Sequence, residues 1–208
     1  DGYRRWDTNK DIYLPHDQPP KVGSLFVQQD LANTLQYIVD EEQSSNGDRI
    51  AGLQAARNAF YRGDIANRIV QFHKENGGYL REDDLAEFRV GIEEPVTINY
   101  LGTKVFTCGP WCQGPALLQV LRLLEHFDLR QMGHNSSRYI HTITEAIKLA
   151  FADRHYYYGD PKFVDVPLKQ LLSNNYNRLR QQLIRENEAW PDMPPGGDPT
   201  NGSEMCPD

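Results

Sequence analysis

Apolar side chains recur at helical spacing along most of this chain, and this period predicts a predominantly helical protein. Leu31, Leu35 and Val39, for example, share one face of a predicted helix over 31–42, for which Asp30 offers an N-cap oxygen. Further helices are predicted over 50–61, from 64 to about 75, from about 82 to 88, over 116–127, from 136 to about 157 and over 175–187, with a turn at 168–172. The long helix is expected to bury Ile140, Ile143, Ala146, Ile147, Ala150 and Phe151.

The helical period is interrupted once, by two short segments in which apolar and polar residues alternate. These segments are Val96–Tyr100 and Lys104–Cys108, and Leu101-Gly102 between them can form a tight turn. The pattern predicts a β-hairpin at 95–108. Two strands alone do not make a stable sheet, so either the helices bury the hairpin or it joins strands supplied by chain outside this sequence. The expected fold class is α+β, mainly helical with a β-hairpin.

The two ends of the chain differ from its middle. Residues 1–24 are polar and interrupted by prolines, which predicts an extended N-terminal segment, and residues 25–188 form the predicted helical domain. Residues 189–208 are rich in Pro and Gly, which predicts a flexible tail or linker. The chain begins at Asp1 without an initiator Met, so we expect a processed or trimmed polypeptide.

Composition excludes several classes of protein. The 22 Lys and Arg against 29 Asp and Glu give a net charge of −7, which disfavours a nucleic-acid partner. No apolar run approaches the roughly 20 residues that a membrane span needs. The three cysteines, Cys108, Cys112 and Cys206, form neither a disulfide framework nor a zinc motif, and Cys108 and Cys112 are expected to be ordinary thiols. Nothing in the sequence requires a metal or an organic cofactor.

Two places along the long predicted helix carry candidate chemistry. His141 and Glu145 lie four residues apart, so they share a helix face and could form a metal pair or an acid–base couple. A hydrogen bond within the helix explains the spacing equally without function, and we favour it. The run 156–158 of three tyrosines, with Asp153-Arg154 before it and Asp160 after it, is expected to anchor a loop rather than to line a pocket.

The loop Gly109–Pro115 is the most distinctive local feature. A glycine- and proline-rich turn between a strand and a helix can present backbone N–H groups to an anion or a carbonyl oxygen. The simpler interpretation, which we favour, is that these residues only make a sharp turn. Glu93-Glu94, just before the hairpin, is expected to be a solvated turn. We find no nucleophile elbow, phosphate loop or zinc helix motif in the sequence.

As an ordered series, these segments resemble the γ-glutamyltranspeptidases and their acylase relatives. The resemblance covers about residues 20–185, in the family's order and at similar spacings. The segments that carry it are Gly23–Ala32, Phe60–Ala66, Gly77–Leu80 with Asp84–Ala86, the hairpin and its turn, Glu145–Arg154, Tyr158–Pro161 and Phe163-Val164.

The resemblance implies the C-terminal part of the large subunit of a self-cleaving N-terminal-nucleophile hydrolase with an αββα sandwich. In such an enzyme a new N-terminal Thr on the small subunit attacks a γ-glutamyl carbonyl, as in glutathione. That Thr is expected just after Asp208, so no catalytic residue is assigned within this chain, which is expected to be inactive alone. The implied partner is the small subunit of the same precursor. Members of this family are often periplasmic or extracellular. The residues of this chain do not themselves indicate a compartment, so a cytoplasmic location stays open as well.

The sequence departs from the family pattern at one place. Where the transpeptidases have a proline-rich turn followed by Ser-Ser-Gly-Gly, this chain has Pro110–Pro115 with the sequence Pro-Trp-Cys-Gln-Gly-Pro. This difference leaves the preference for transfer or hydrolysis open. Two alternatives therefore stand beside the transpeptidase: an acylase or amidase of the same fold that acts on another amide, and a non-catalytic helical interaction module.

Overall fold

The computed structural model describes residues 2–200, and the chain divides into two compact units, Asp1–Val90 and Gly91–Asp208. The first unit contains helices α1 (Asp7–Tyr13), α2 (Gln29–Gln43), α3 (Arg49–Tyr61), α4 (Asp64–Glu75) and α5 (Glu82–Ala86). The second contains strands β1 (Val96–Tyr100) and β2 (Thr103–Thr107) and helices α6 (Gly114–Leu124), α7 (Leu129–Met132), α8 (Ser137–Tyr157), α9 (Leu168–Leu171) and α10 (Asn174–Gln181). The fold-class prediction, helical with a β-hairpin, is confirmed.

The N-terminal segment is not extended, so that prediction is wrong. It forms α1 between two 3₁₀ helices, Gly2–Arg5 and Pro15–Asp17. Aromatic contacts stabilise this arrangement, because the Tyr13 ring lies 5.1 Å from that of Tyr3 and 5.9 Å from that of Phe26. These contacts join residues more than a helical turn apart, so the local pattern of prolines did not indicate them.

Helix α2 packs on α3, but it buries none of its side chains fully within the described residues 2–200. Gly52 of α3 permits a close approach, since a Cβ there would lie 3.1 Å from Glu42 Cγ. On α2, Leu31 and Leu35 remain 50% and 55% exposed. The prediction that Asp30 caps α2 is wrong, because the helix begins at Gln29, two residues earlier than predicted, and Gln28 takes the N-cap position.

The hairpin is confirmed where the alternation predicted it. Val96 pairs with Thr107 and Tyr100 with Thr103, so the strands are antiparallel and joined by the turn at Leu101-Gly102. Gly102 has a φ of 86°, which suits glycine. Helix α6 packs against the strands, and the Arg122 Nη1 donates a hydrogen bond of 3.0 Å to the Asn99 carbonyl oxygen. Among the described residues, therefore, the hairpin is partly covered by a helix.

The core of the second unit lies between α6 and α8. Leu123 and Leu149 are fully buried there, and Ser136 caps α8 by accepting a hydrogen bond from the Tyr139 N–H. Ile140 and Ile147, predicted to be buried on α8, are instead 53% and 40% exposed, because Glu145, Leu149 and Asp153 occupy the innermost face. No helix among the described residues is both long and apolar enough to cross a membrane.

The last predicted helix, over 175–187, ends early. Helix α10 stops at Gln181, and the chain then turns so that Leu183 and Ile184 pack against the α6–α8 core. Leu183 and Ile184 are partly buried in this arrangement. The segment after α10 then runs along α8 in the same direction as that helix, since Arg185 contacts His141, Trp190 contacts Glu145 and Gly197 contacts Asp153.

Candidate functional site

Two buried carboxylates on α8 organise the C-terminal part of the second unit. Glu145 and Asp153 are 1% and 0% exposed, and they lie eight positions apart on the helix. That separation corresponds to about 12 Å along the helix axis. Buried carboxylates are costly unless they are hydrogen-bonded or paired with a cation. The partners of these two side chains therefore show what the helix holds in place.

Asp153 accepts four hydrogen bonds. Its Oδ1 accepts from the Gly197 N–H at 2.8 Å and from the Arg180 guanidinium at 3.0 Å. Its Oδ2 accepts from the Tyr176 hydroxyl at 2.8 Å and from the Gln119 amide at 2.5 Å. Burial raises the pKa of Asp153, against the lowering effect of Arg180 and of the other donors. This carboxylate thus joins α6, α8, α10 and the segment at Gly197.

The partners of Asp153 also hold residues 195–197. Arg180, which is only 5% exposed, donates to the Pro195 carbonyl at 2.9 Å, and the Tyr157 hydroxyl donates to the Gly197 carbonyl at 2.9 Å. A Cβ at Gly197 would collide with the Tyr176 hydroxyl, so glycine is required for this close approach. Burial and the Asp153 charge raise the pKa of Tyr176, which keeps its hydroxyl a donor.

Glu145 holds the same segment closer to its start. Its Oε2 accepts from the Trp190 N–H at 3.1 Å, and its Oε1 accepts from Lys148 Nζ at 2.7 Å. Lys148 also donates to the Trp190 carbonyl at 2.6 Å. Composition predicted a flexible tail from residue 189 onward, yet the described part of it, to residue 200, is held to α8 at Trp190 and at Gly197. Residues 201–208, and with them Cys206 and Asp208, lie outside the described part.

The environment of Glu145 makes the stability of this contact depend on pH. Burial raises the pKa of Glu145, but the Lys148 ammonium and the Trp190 N–H outweigh it and lower the pKa below its ordinary value of 4.5. A lowered folded-state pKa stabilises the fold above about pH 4.5, and this stabilisation is lost as the pH falls through the folded-state value.

We therefore expect Glu145→Gln to flatten the acid side of the stability curve. Urea denaturation at several pH values between about 3 and 7 measures this, since the variant lacks the proton uptake that wild-type Glu145 contributes on unfolding. The difference in unfolding free energy between the two proteins should shrink as the pH falls below about 4.5. An equally steep acid limb in the variant would contradict the assignment.

The predicted pairing of His141 with Glu145 is not formed. The His141 Nε2 lies 2.7 Å from the Arg185 carbonyl oxygen, while the carboxylate is occupied by Lys148 and Trp190. These two residues form neither a metal pair nor an acid–base couple. The hydrogen bond expected between them is not formed: His141 bonds instead to Arg185, and Glu145 bonds to Lys148 of the same helix and to Trp190. No group of three or more potential metal ligands occurs within residues 2–200.

The tyrosine run at the C-terminal end of α8 anchors neighbouring chain through Tyr157. The Tyr156 and Tyr157 rings lie edge to face at 4.8 Å, and Tyr157 bonds to Gly197 as described above. The Arg154 guanidinium lies 5.6 Å from the Phe151 ring centroid, and Asp160 accepts a hydrogen bond from the Lys162 N–H. Of these contacts, the one between Asp160 and Lys162 lies in the loop that follows the helix.

Three backbone N–H groups of the loop Gly109–Pro115, those of Gly109, Cys112 and Gly114, donate hydrogen bonds within the protein. The Glu93 Oε1 accepts from the Gly109 N–H at 3.3 Å and from the Trp111 indole at 2.7 Å. The Cys112 N–H donates to the Gly109 carbonyl, and the Gly114 N–H donates to the Cys112 sulfur, both at 3.3 Å. These N–H groups are therefore occupied, which favours the sharp-turn interpretation. Glu93 therefore stabilises this loop by accepting two hydrogen bonds from it. Only a solvated turn was expected at Glu93-Glu94 from the sequence, which did not predict this role.

Sequence reasoning missed Arg180 and Gly197 altogether, and it did not recognise Glu145 and Asp153 as anchors. One signal was present for the two acids: both lie on α8 at four-residue spacing from Leu149, in the middle of an apolar stripe. An acid in such a position must find a buried partner. The identity of that partner could not be read from the helix itself.

Comparison with known proteins finds a similarity to one protein family along nearly the whole chain. The Gamma-glutamyltranspeptidase family model matches residues 2–204. The glutathione hydrolase proenzyme of Bacillus subtilis (strain 168) is 37% identical over 191 residues, which are 91% of this chain and 30% of that protein. The chain thus spans less than a third of the length of this curated relative, and the matched region belongs to the N-terminal part of such proenzymes.

Solved structures share the fold. The gamma-glutamyltranspeptidase of Helicobacter pylori superposes with a TM-score of 0.73 and 31% identity, covering 91% of this chain and 51% of that one. The cephalosporin acylase of Bacillus halodurans superposes with a TM-score of 0.74 and 30% identity, covering 96% of this chain and 35% of that one. On the family match along nearly its whole length, this chain belongs to the gamma-glutamyltranspeptidase family.

Proposed function

We propose that this chain is the C-terminal part of the large subunit of a gamma-glutamyltranspeptidase-like enzyme, the large subunit being the N-terminal of the two products into which the precursor is cleaved. The whole enzyme transfers or hydrolyses γ-glutamyl groups, such as that of glutathione, and its precursor cleaves itself into two subunits. The family match over residues 2–204 carries this proposal. Since the chain spans 30% of a curated relative, the remaining parts of the enzyme must come from other segments of the precursor.

The proposed reaction uses a nucleophile that this chain does not supply. We place it at a threonine directly after Asp208, which becomes the first residue of the small subunit on cleavage. A free α-amine has a pKa of about 8, so it can accept the proton of its own hydroxyl directly or through water. The hydroxyl attacks the γ-glutamyl carbonyl, and water or an amine then releases the acyl group. The isolated chain is inactive in this scheme.

The contribution of this chain is to position the segment that leads to the cleavage site. Asp153 holds Gly197, and Glu145 holds Trp190, so the segment follows a fixed path along α8 up to residue 197. Thr200 continues that order, because its N–H and hydroxyl both donate to the Asp198 carboxylate at 2.8 and 2.6 Å. A bond that is cut by its own neighbouring hydroxyl needs a defined geometry. The anchors at Trp190 and Gly197 hold the chain up to a point eleven residues before Asp208.

An acylase of the same fold is the second candidate. Its support is the structural similarity to the cephalosporin acylase and the altered Pro110–Pro115 turn. Such an enzyme would keep the same nucleophile and precursor cleavage. It would differ in the acyl group that it accepts.

The test is an assay of the full-length protein on a matched set of anilides. We expect release of the chromophore from γ-glutamyl-p-nitroanilide, and release at least about tenfold slower from glutaryl-p-nitroanilide, which lacks only the α-amino group. That comparison isolates recognition of the amino group, because the two acyl chains have the same length. Faster cleavage of the glutaryl compound would favour the acylase. No turnover of either compound together with an uncleaved chain would favour the non-catalytic interaction module.

A further inference from the structure

Cys108 and Cys112 lie side by side at the junction of the hairpin and α6, and the proposed reaction uses neither of them. Cys108 directly follows β2, and Cys112 precedes the first residue of α6, Gly114. Both are free thiols, and their sulfur atoms are 2.7 Å apart. This separation is only about 0.7 Å longer than the roughly 2.05 Å of a disulfide bond. The two thiols are thus close enough to be joined by a small local shift.

The fold holds this pair together rather than leaving it to a flexible loop. Glu93 accepts hydrogen bonds from Gly109 and Trp111, which lie between the two cysteines in sequence. The Gly114 N–H donates to the Cys112 sulfur, and a Cβ at Gly114 would lie 3.0 Å from the Cys108 sulfur. Glycine at this position therefore makes room for the Thr107 hydroxyl and the Cys108 thiol.

The two thiols differ in the way that a thiol–disulfide exchange pair requires. Cys108 is exposed, whereas Cys112 is partly buried. The hydrogen bond with the Cys112 thiol, with a smaller contribution from Thr107, lowers the pKa of Cys108, while burial and the same hydrogen bond raise the pKa of Cys112. An accessible thiol with the lower pKa attacks an external disulfide first, and the more buried neighbour resolves the product.

We propose that Cys108 and Cys112 form a reversible thiol–disulfide exchange site that is oxidised by small-molecule disulfides. The Cys108 thiolate attacks one sulfur of the external disulfide and expels one small thiolate, leaving a mixed disulfide on Cys108. Cys112 then loses its proton to solvent, attacks the Cys108 sulfur and expels the second small thiolate. Two cysteine thiols are oxidised to one disulfide, and one external disulfide is reduced to two thiols. This inference is independent of the proposed acyl-transfer activity.

The experiment uses the full-length protein and a probe that the proposed activity cannot consume. Bis(2-hydroxyethyl) disulfide contains no γ-glutamyl group, and mixtures of it with 2-mercaptoethanol set the redox poise. After acid quenching and alkylation with N-ethylmaleimide, trypsin cuts at Lys104 and Arg122 and releases residues 105–122, which contain both cysteines. We expect this peptide to have lost two hydrogen atoms and to carry no maleimide, and dithiothreitol should reverse the change.

Single variants separate the two roles. In Cys112→Ser the reaction should stop at a mixed disulfide between Cys108 and 2-mercaptoethanol. In Cys108→Ser we expect the mixed disulfide on Cys112 to form about tenfold more slowly, because that thiol is less accessible and less ionised. Cys206→Ser is the matched control, and the disulfide within residues 105–122 should form in it as in the wild type.

The same titration in concentrated urea tests whether the fold is responsible. We expect the native protein to form the disulfide at an about tenfold lower ratio of disulfide to thiol than the denatured chain, since only the native state keeps the sulfur atoms in contact. Equal midpoints in the two states would overturn the proposal. So would two maleimide groups on the native peptide at excess disulfide, or a loss of the disulfide in Cys206→Ser.

Discussion

Asp153→Asn is expected to lower the free energy of unfolding by about 3–5 kcal/mol, the usual result of removing one partner of a buried ion pair. The carboxylate accepts four hydrogen bonds, and an asparagine offers one acceptor oxygen and a new N–H₂ donor in their place. The new N–H₂ group of the asparagine would then face hydrogen-bond donors that the Asp153 carboxylate accepts from. The Arg180 charge, 5% exposed, would also lose its counter-ion.

Urea denaturation of the full-length protein, followed by circular dichroism, measures this loss. Asp165→Asn is the matched control: Asp165 is exposed, so the same chemical change there should alter the unfolding free energy by less than about 0.5 kcal/mol. Tyr176→Phe removes one of the four hydrogen bonds, and we expect it to cost about 1 kcal/mol. If Asp153→Asn were as stable as Asp165→Asn, the network around Asp153 would not anchor the C-terminal segment.

Replacing the residue directly after Asp208 with alanine is expected to abolish both precursor cleavage and turnover. The proposed mechanism needs one hydroxyl for both reactions, first to attack its own backbone and then to attack the substrate. Alanine cannot perform either step. Gel electrophoresis and intact mass report whether the precursor remains a single chain, and the anilide assay reports turnover in the same preparation.

Two further variants show whether the effect is specific. A serine at the same position keeps a hydroxyl, so we expect it to retain measurable cleavage. Thr8→Ala removes a different threonine hydroxyl, at an exposed position of α1, and both cleavage and turnover should remain. An alanine variant that still separates into two chains would show that the nucleophile lies elsewhere.

The elements of this fold were largely predictable, because the period of apolar residues reflects contacts made within a few positions of each residue. The helices near 31–42, 50–61 and 136–157 and the hairpin at 95–108 occur where the pattern predicts them. Errors arose where distant contacts override the local pattern. Tyr3, Tyr13 and Phe26 stabilise a helix in the proline-containing N-terminal segment, and the last helix ends at Gln181, after which Leu183 packs against the α6–α8 core.

The anchoring network was not predictable in the same way. Asp153 and Gly197 are separated by 44 residues, and Gln119 and Asp153 by 34. A carboxylate in an apolar stripe requires a buried partner, but any donor that the fold brings near can satisfy it. The composition of residues 189–200 resembles that of a flexible linker, and only its hydrogen bonds to Glu145 and Asp153 show that it is held.

The sequence by itself determined the helical character, the hairpin, the acidic charge and the resemblance to one family, because each of these depends only on the composition or on the order of the residues. The tertiary structure decided which side chains contact each other. Asp153 and Arg180 form a buried ion pair, Glu145 accepts a hydrogen bond from the Trp190 N–H, and the Cys108 sulfur contacts that of Cys112. These relationships depend on how α6, α8, α10 and the hairpin pack. Packing of this kind brings together atoms whose separation along the chain carries no periodic signal.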